Sequence, residues 1–500
     1  MDQAFNAWAM VNVCAAMEVV RADGGRFMGG GGEGYKDGGV GEDWESHKLS
    51  FMGTEQTSLR ILMFPWLAHG HVFPYLELAK MLSQKNFHIY FCSTAINLSS
   101  ISKTIEKSFG DISIELLELH LPSWPDLPPH YHTTKNMPPE LMPKLLEAFQ
   151  MSSSSFSDII NTLKPNLLIY DCFQPWAAAL ASSLGIPAVH YSTAGATPYT
   201  FGHHHFTYGK ATFPYKEIYL RNYERKVMKF RPKIKDADEG FAFGNFNRSC
   251  DIVLMKSCRA IEGKYIDYLS ELSQKKIVPV GPLVTQPKNE EDDSEIMQWL
   301  SKKSKLSTVY ISFGSENYLS KEQIEEMAQG LELCDVNFIW IVRFPAVNTI
   351  RIEETLPEGF LERVKQKGMV VQGWAPQAKI LAHPSIGGFV SHCGWSSVVE
   401  SIYFGIPVIA MPLKLDQPLN ARLVVEAGVG VEVPRDDDTE FKRDEVAKAI
   451  NKVVVEKSTG EGIRSKALEL SKKMKEEEEV AMSETSEQLL QLCTKYKQKH

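Results

Sequence analysis

The sequence has few cysteines, and none of them forms a CxxC pair. Its eight cysteines are spread over the 500 residues without regular spacing. A disulfide scaffold concentrates cysteines in a short chain, and a structural zinc site needs closely spaced ligands. The sequence therefore argues against both kinds of site and favours a reducing compartment, so a cytoplasmic location is expected.

The chain also lacks an excess of positive charge and a long apolar run. Its 54 Lys and Arg residues are outnumbered by 62 Asp and Glu residues, which gives a formal net charge of -8. Nucleic-acid binding usually requires a basic stripe, so no nucleic-acid partner is expected. Residues 4–20 are moderately apolar but contain Asn6, Asn12 and Glu18, and they are too short to span a membrane. No membrane span is predicted.

What the sequence has in abundance near its start is glycine. Ten glycines lie between Gly24 and Gly41, a density that does not repay the entropy lost when a chain packs. Residues 1–57 are therefore predicted to be a disordered, Gly-rich extension. The remaining length exceeds what one hydrophobic core usually supports, so two domains are expected.

Short apolar runs alternate with helical patterns along the rest of the chain. A first series covers residues 59–64, 88–92, 167–170 and 188–191, and a second covers 308–313, 337–342, 369–371, 388–390 and 407–410. Such alternation is typical of parallel sheets covered by helices on both faces. The fold class is thus α/β, with two Rossmann-like, doubly wound domains facing each other across a cleft.

The domain limits follow from the polar, acidic stretch 286–294, which is predicted to be a linker. It separates a first domain at 58–285 from a second domain at 295–475, and residues 476–500 are predicted to form a C-terminal helical segment. In doubly wound sheets ligands bind beyond the carboxyl ends of the strands. The loops after the apolar runs are therefore where functional residues are expected.

One such loop is the segment from His392 to Glu400, which follows an apolar run and leads into a helix. Gly394 permits close approach of a ligand, and Ser396 and Ser397 lie at the helix start, where backbone N–H groups attract a diphosphate. His392 can donate a ring N–H, and Glu400 can accept from sugar hydroxyls. Considered alone, the same residues fit ordinary helix caps equally well.

A wider pattern favours the first interpretation. Residues 374–417, which begin with Trp374-Ala375-Pro376-Gln377 and end with Asp416-Gln417, resemble the 44-residue signature of the plant secondary-metabolite UDP-glycosyltransferases. The resemblance extends from about Leu59 to the C-terminus. It implies the GT-B fold of glycosyltransferase family 1, a UDP-sugar as donor and a small hydroxylated molecule as acceptor.

The resemblance also implies a role for each donor-site residue. Trp374 stacks on uracil, Ala375 and Gln377 contact the base edge and the ribose, and Glu400 binds the ribose hydroxyls. The diphosphate is held by His392, Gly394, Ser396 and Ser397, and the sugar hydroxyls are read by Trp395, Asp416 and Gln417. Upstream, Ser315 follows a strand and either adds a hydroxyl near the diphosphate or caps the helix predicted at 321–331.

Two positions depart from the family pattern. Ser396 stands where the family usually has Asn, and Met411 stands where it often has Trp. Ser396 keeps a hydroxyl but loses the reach of an amide, which leaves open a UDP-sugar-binding protein without turnover. Gln417 is the residue that usually accompanies glucose in the family, so UDP-glucose is the expected donor.

The catalytic base is expected in the loop after the first apolar run. Both His69 and His71 suit the removal of a hydroxyl proton, and the resemblance implies His71, with Pro74 three residues later. Asp171 ends another strand of the same domain and matches the family's partner carboxylate. For a lone Asp at a strand end, a turn or cap role is the alternative.

No metal is expected in this site, because the sequence has no DxD-like pair in a suitable loop. His203, His204 and His205 are adjacent, so they point in different directions and are expected in a loop beside the acceptor. The aromatic residues between Gly195 and Cys250 are predicted to line an acceptor pocket for a bulky ring system. They are Tyr199, Phe201, Phe206, Tyr208, Phe213 and Tyr215.

The resemblance implies direct displacement with inversion, which gives a β-linked product. The segment Pro65–His71 and the stretch Glu262-Gly263-Lys264-Tyr265 are most similar to the branch that adds a sugar to an existing sugar of flavonoid or terpenoid glycosides. Glucosylation of an aglycone hydroxyl is the alternative within the same enzyme class.

Overall fold

A computed structural model of the chain describes residues 58–106, 113–227, 241–287, 294–344, 351–435 and 440–498. The predicted disordered extension at 1–57 lies outside the described residues. So do residues 288–293, which make up most of the predicted linker.

The first domain is built on a parallel sheet of seven strands in the order β3-β2-β1-β4-β5-β6-β7. The central strand β1 pairs with β2, where Met63 lies opposite Phe91, and with β4, where Phe64 lies opposite Tyr170. The strands are β1 (Leu59–Phe64), β2 (Phe87–Ser93), β3 (Ile114–Glu118), β4 (Leu167–Tyr170), β5 (Ala188–Ser192), β6 (Ile252–Met255) and β7 (Lys276–Pro279).

The second domain contains a parallel sheet of six strands in the order β10-β9-β8-β11-β12-β13. Its strands are β8 (Thr308–Ser312), β9 (Asn337–Val342), β10 (Gly368–Gln372), β11 (Ile386–Ser391), β12 (Val408–Ala410) and β13 (Gly430–Glu432). In both sheets the order reverses beside the first strand of the domain, β1 or β8. This is the switch point at which doubly wound folds bind their ligands.

Helices cover both faces of each sheet. In the first domain they are α1 (His69–Ser83), α2 (Ala95–Glu106), α3 (Met142–Met151), α4 (Ser153–Leu163), α5 (Pro175–Ser183), α6 (Ala196–Tyr208), α7 (Asn222–Val227), α8 (Phe241–Arg248) and α9 (Arg259–Ser273). In the second they are α10 (Glu295–Ser301), α11 (Lys321–Glu332), α12 (Phe360–Val364), α13 (Gln377–Leu381), α14 (Trp395–Tyr403), α15 (Gln417–Glu426), α16 (Arg443–Val454) and α17 (Lys457–Lys497). Short 3-10 turns span Pro129–Tyr131, Pro139–Leu141 and Ile352–Glu354.

The side chains of β1 show why its apolar run is continuous. Ile61 and Met63 pack into the core on one face of the first sheet, and Leu62 and Phe64 pack into the core on the other. Successive side chains of a strand point to opposite faces, so a strand buried on both sides has no position for a polar residue. Burial of each such side chain contributes about 1.5–3 kcal/mol.

The last helix connects the two domains. It runs for 41 residues and is uninterrupted at residues 475 and 476, where the predicted C-terminal segment was expected to begin. Leu470 and Met474 pack into a core shared by both domains. Further along, Met482, Leu489 and Leu492 pack into the core of the first domain. This helix thus completes the core of the first domain.

A network of buried charges is a second link between the two domains. Arg422 of α15 bonds Glu224 of α7 at 2.7 Å and Glu432 of β13 at 3.1 Å, and Arg221 reaches Glu432 at 2.6 Å. Arg422 and Glu224 are only 3% and 4% exposed. Each charge in this interdomain ion network compensates another across the boundary, which fixes the relative position of the two sheets.

The predicted doubly wound domains are both present, and all nine predicted apolar runs contribute to strands. Four strands were not predicted, namely β3, β6, β7 and β13. Within the described ranges, no helix has an apolar stretch long enough to cross a bilayer.

Candidate active site

The carboxyl ends of β1 and β4 bring a histidine and an aspartate together. Asp171 directly follows β4, and His71 lies in the first turn of α1, which follows β1 after a short loop. Nδ1 of His71 lies 2.7 Å from Oδ2 of Asp171. The backbone N–H groups of Trp66 and Cys172 also donate to this carboxylate, at 3.1 Å and 2.7 Å. These bonds fix the carboxylate and orient the imidazole ring.

Burial and charge act in opposite directions on this pair. Burial lowers the pKa of His71, but the nearby carboxylate of Asp171 and its hydrogen bond outweigh burial, so the pKa lies above its usual value. Burial raises the pKa of Asp171, yet His71 and the backbone donors reverse the shift and lower it. Asp171 is therefore ionised, and the ring keeps a proton on Nδ1 facing it, which leaves Nε2 as the basic atom.

His69, the other candidate base, lies in a different environment. Burial, together with the charges of Lys135 and Arg343, lowers its pKa to about 4. Its ring packs edge-on against Phe73 at 5.1 Å, and Nε2 is buried without a hydrogen-bond partner among the described residues. Only His71 has the carboxylate that a general base of this kind requires.

Two carboxylates of the second domain face His71 across the cleft. Glu316 and Asp416 both act to raise the pKa of His71. Burial raises the pKa of Asp416 to about 6 and also raises that of Glu316. Oε1 of Glu316 accepts a hydrogen bond from Thr134 of the first domain at 2.6 Å. The cleft between the sheets is therefore lined by acidic groups opposite the histidine.

The start of α14 is the segment for which the sequence predicted an anion site. Its N-cap, Gly394, has no side chain to satisfy the first amides of the helix, where the positive end of the helix dipole lies. His392 precedes it, and burial, with a smaller contribution from Lys414, lowers the pKa of His392 to about 3. The ring is neutral near pH 7 and can donate one N–H without carrying charge.

Glycine packing fixes the His392 ring. A Cβ atom at Gly314, which has a φ of +79°, would lie 2.7 Å from Cε1 of His392, and one at Gly394 would also collide with the ring. Only glycine fits these two positions. The imidazole is thus held between two backbone segments, from the loop after β8 and the loop after β11.

The predicted uridine-binding residues lie together on the second domain. Nε2 of Gln377 donates to Oε2 of Glu400 at 2.9 Å and to Oγ of Ser397 at 3.3 Å. Ala375 is buried, whereas Trp374 is 73% exposed, although it is a large aromatic residue. An indole left uncovered at the mouth of a cleft suits stacking on a flat ligand.

The side chain of Trp395 does not face the cleft. It is 4% exposed in the core shared by both domains, and its indole N–H donates to the carbonyl of Lys256 at 2.6 Å. Its backbone N–H, in the first turn of α14, is the group that remains available to a sugar or diphosphate. Met411, the other departure from the family pattern, is 2% exposed and belongs to the core of the second domain.

Asp416 and Gln417 lie at the start of α15. Asp416 accepts a hydrogen bond from Asn420 at 3.0 Å, and Oε1 of Gln417 accepts from the backbone N–H groups of Leu413 and Lys414, both at 2.9 Å. The amide oxygen of Gln417 therefore shapes the loop. Ser315 is exposed in the loop after β8, and the N-cap of α11 is Ser320 instead, with Gln323 completing a capping box.

The expectations for residues 195–250 fail in part. Tyr199, Phe201 and Phe213 lie in the buried core shared by both domains, where Tyr199 of α6 packs against Phe246 of α8 and Phe201 of α6 packs against Phe213. His203, His204 and His205 belong to α6 and not to a loop. Aromatic composition predicted a pocket, but the same composition serves a helix-helix core.

A small cavity opens between the domains. Its first-domain wall is apolar apart from one hydroxyl, and its second-domain wall carries both signs of charge. The lining residues are Thr134, Met137, Pro139 and Met142 from the first domain and Glu316, Tyr318 and Lys414 from the second. Such a wall suits an acceptor with both an apolar and a hydroxylated part.

Three residues of the cleft were not identified from the sequence: Lys256, Thr134 and Glu316. Lys256 directly follows β6, as Asp171 follows β4, so its place at a strand end was the available signal. The 3-10 turns around Thr134 carry no such signal. Among the described residues, no group of three or more His, Cys, Asp or Glu side chains is arranged to hold a metal ion.

Comparison with known proteins gives a consistent result. Residues 275–475 match the family described as UDP-glucoronosyl and UDP-glucosyl transferase, and residues 57–285 match the glycosyltransferase N-terminal domain. A mogroside IIIx synthase of Siraitia grosvenorii is 53% identical over 420 residues, which cover 82% of this chain and 88% of the synthase. A beta-D-glucosyl crocetin beta-1,6-glucosyltransferase of Gardenia jasminoides is 52% identical over 441 residues, or 86% of this chain and 98% of that enzyme.

A solved structure of similar fold agrees with these sequence matches. A UDP-glucosyltransferase from Polygonum tinctorium, capable of glucosylating indoxyl and solved in complex with 3,4-dichloroaniline, superposes with a TM-score of 0.70 at 25% identity. The superposition covers 87% of this chain and 99% of that one.

Proposed function

The chain belongs to the UDP-glucoronosyl and UDP-glucosyl transferase family, with the GT-B fold, and we propose that it transfers glucose from UDP-glucose to a sugar hydroxyl of an existing terpenoid or flavonoid glycoside. It is a UDP-glycosyltransferase by family. The donor sugar, the acceptor class and the roles of individual residues are our proposals.

The observation that carries the proposal is the His71–Asp171 pair at 2.7 Å. The carboxylate of Asp171 accepts a hydrogen bond from the Nδ1–H group of His71. The free Nε2 atom of His71 therefore takes the proton of the acceptor hydroxyl. The acceptor oxygen then attacks the anomeric carbon while the bond to the diphosphate breaks. A single displacement of this kind inverts the anomeric centre and gives a β-linked product. Asp171 stabilises the imidazolium that forms.

The second domain supports the departure of UDP. Negative charge grows on the diphosphate as the glycosidic bond breaks, and in this scheme the uncapped start of α14 and the neutral His392 ring bind it. These groups are held in place before the reaction, so no reorganisation is needed when the charge develops. Trp374, Gln377 and Glu400 hold the uridine in this scheme.

The interdomain cavity supports a glycoside as acceptor. Met137 and Met142 offer flexible apolar contacts for a terpenoid or flavonoid ring system. Beside them, Glu316 and Lys414 offer acceptors and donors for sugar hydroxyls. The two relatives described above are named for products or substrates that already carry sugars.

A matched substrate pair tests this function. The purified protein is incubated with UDP-glucose and either a glycoside or its own aglycone, and free UDP and product mass are measured. We expect UDP release and one added hexosyl unit with the glycoside. Reaction with the aglycone alone would contradict the acceptor assignment, and UDP-glucose binding without UDP release would identify a non-catalytic binding protein.

The donor assignment needs a separate comparison. UDP-glucose, UDP-galactose and UDP-xylose are compared at equal concentration with the same glycoside. We expect the highest kcat/KM with UDP-glucose, and a preference for either of the other donors would contradict the inference from Gln417. A cytoplasmic location completes the proposal, and it is supported by the seven described cysteines, all of which are free thiols.

A further inference from the structure

Lys256 is a buried cation of the first domain that reaches into the second. It follows β6, and its side chain is only 3% exposed. Its backbone carbonyl accepts the indole N–H of Trp395, and its Nζ donates to Oγ of Ser396 at 2.9 Å. Both contacts are with the first turn of α14. The lysine thus brings a positive charge to the helix start already described as an anion site.

The ammonium group has little compensation in the structure. Among the described residues its one hydrogen-bond acceptor is the Ser396 hydroxyl, although an ammonium carries three N–H donors. Glu400 and Glu77 act on Lys256 only through space. Burial lowers its pKa, and these carboxylates only partly oppose that shift. A buried charge with one neutral partner is costly, so a role beyond packing is indicated.

The contact is made with a short side chain at position 396. Asn is usual at that position in the family that the segment resembles, and Ser396 has a hydroxyl where Asn has a longer carboxamide. In this chain, Lys256 of the opposite domain fills the place beside the helix start with a charged group.

We infer that Lys256 binds the diphosphate of the UDP-sugar, supplying from the acceptor domain a charge that Ser396 alone does not provide. The inference rests on the proposed function of α14 as the diphosphate site. It makes the donor site a composite of both domains. The ammonium, the first amides of α14 and His392 then surround the diphosphate, and the ammonium gains importance as negative charge accumulates during departure.

Binding of uridine, UMP and UDP to wild type and to Lys256→Met tests this assignment by calorimetry. The variant keeps the apolar length of the side chain and removes its charge. We expect the Kd for UDP to rise about 10- to 100-fold, that for UMP to rise less and that for uridine to stay unchanged, because only the phosphates contact the lysine. Lys210→Met, which removes a charge from an exposed lysine of the same domain, should bind all three ligands like wild type.

Thermal unfolding without ligand separates this role from a structural one. An apolar side chain in place of a buried, uncompensated cation often leaves a protein as stable or more stable, so we expect the Tm of Lys256→Met to equal or exceed that of wild type. A lower Tm together with equal weakening of UDP and uridine would overturn the inference. Should Lys256→Met fail to fold, Lys256→Gln retains a donor for Ser396 and the same ligand series decides.

The outcomes also distinguish this inference from the proposed function. A wild-type protein that binds no UDP would refute the donor site itself. A wild-type protein that binds UDP, with variants that bind it as tightly, would refute only the role of Lys256.

Discussion

The two domains share one architecture, yet they hold their functional groups in different ways. In the first, His71 and Asp171 form an ion-paired couple in which charge overrides burial and raises the pKa of the histidine. In the second, His392 is held between two glycines, and burial lowers its pKa to about 3. The first histidine is poised to change its protonation state, and the second is kept from doing so. A histidine proposed as a general base has to gain and lose a proton during each reaction, whereas a histidine proposed to bind a ligand has to keep one protonation state.

The largest expected effect comes from His71→Ala. Loss of the base should lower kcat about 10²- to 10⁴-fold while the Kd for UDP, measured by calorimetry, stays unchanged, because the second domain is untouched. His69→Ala is the matched control, two residues earlier in the same turn, and should retain kcat within a few-fold. Full turnover by His71→Ala would refute the assigned base.

Arg422→Leu removes a central member of the interdomain ion network. It leaves Glu224 and Glu432 with the partly exposed Arg221 but without the buried Arg422, and removing one member of a buried ion pair costs about 3–5 kcal/mol of stability. We expect a marked drop in Tm by calorimetry. Arg351→Leu removes a pair exposed at 77% and 54% and should leave the Tm unchanged. Equal Tm values for both variants would mean that the network does not join the domains.

Asp171→Asn separates orientation of the base from its charge. The carboxylate raises the pKa of His71, and the active ring is unprotonated, so wild-type activity falls as the pH drops through that raised pKa. Without the carboxylate the pKa falls, and the acid limb of kcat/KM against pH should move to lower pH. We also expect kcat to fall about 10- to 10³-fold. An unmoved acid limb would show that another group controls the profile.

Trp374→Ala tests the donor site, and of these variants it is expected to have the smallest effect. Loss of stacking on uracil should weaken UDP about 10-fold, or about 1.4 kcal/mol, and leave kcat at saturating donor unchanged. The indole is 73% exposed, so the Tm should not change. Leu333→Ala, which alters an apolar residue of the same domain that is 55% exposed, should bind UDP like wild type.

Most strands that were predicted are covered on both faces, although β6 was missed while all four of its residues are buried. The runs that became β8 and β9 are almost entirely buried. By contrast, β3 contains Glu115 and Glu118 and has no fully buried position, because it lies at the edge of the first sheet, and β13 has only three residues. Neither gives a continuous apolar run, so neither was predicted.

The residues of the candidate site also divide into those that were predicted and those that were missed. Strand-end position and the family resemblance led to His71 and Asp171, which the structure brings within hydrogen-bonding distance. They did not lead to Glu316, whose importance depends on contacts between domains that no local pattern encodes. Lys256 was also missed, although it follows β6 as Asp171 follows β4. The aromatic residues of α6 misled for a related reason, since composition does not reveal which surface an aromatic helix covers.

The long C-terminal helix has a consequence for synthesis of the chain. Met482, Leu489 and Leu492 complete the core of the first domain, yet they leave the ribosome after the sheet of the second domain. The first domain therefore cannot close its core while the second is being made, and its exposed apolar surface waits for this helix. A C-terminal deletion of this helix would therefore damage the domain farthest from it in sequence, and folding of the two halves is coupled by the order in which the chain emerges.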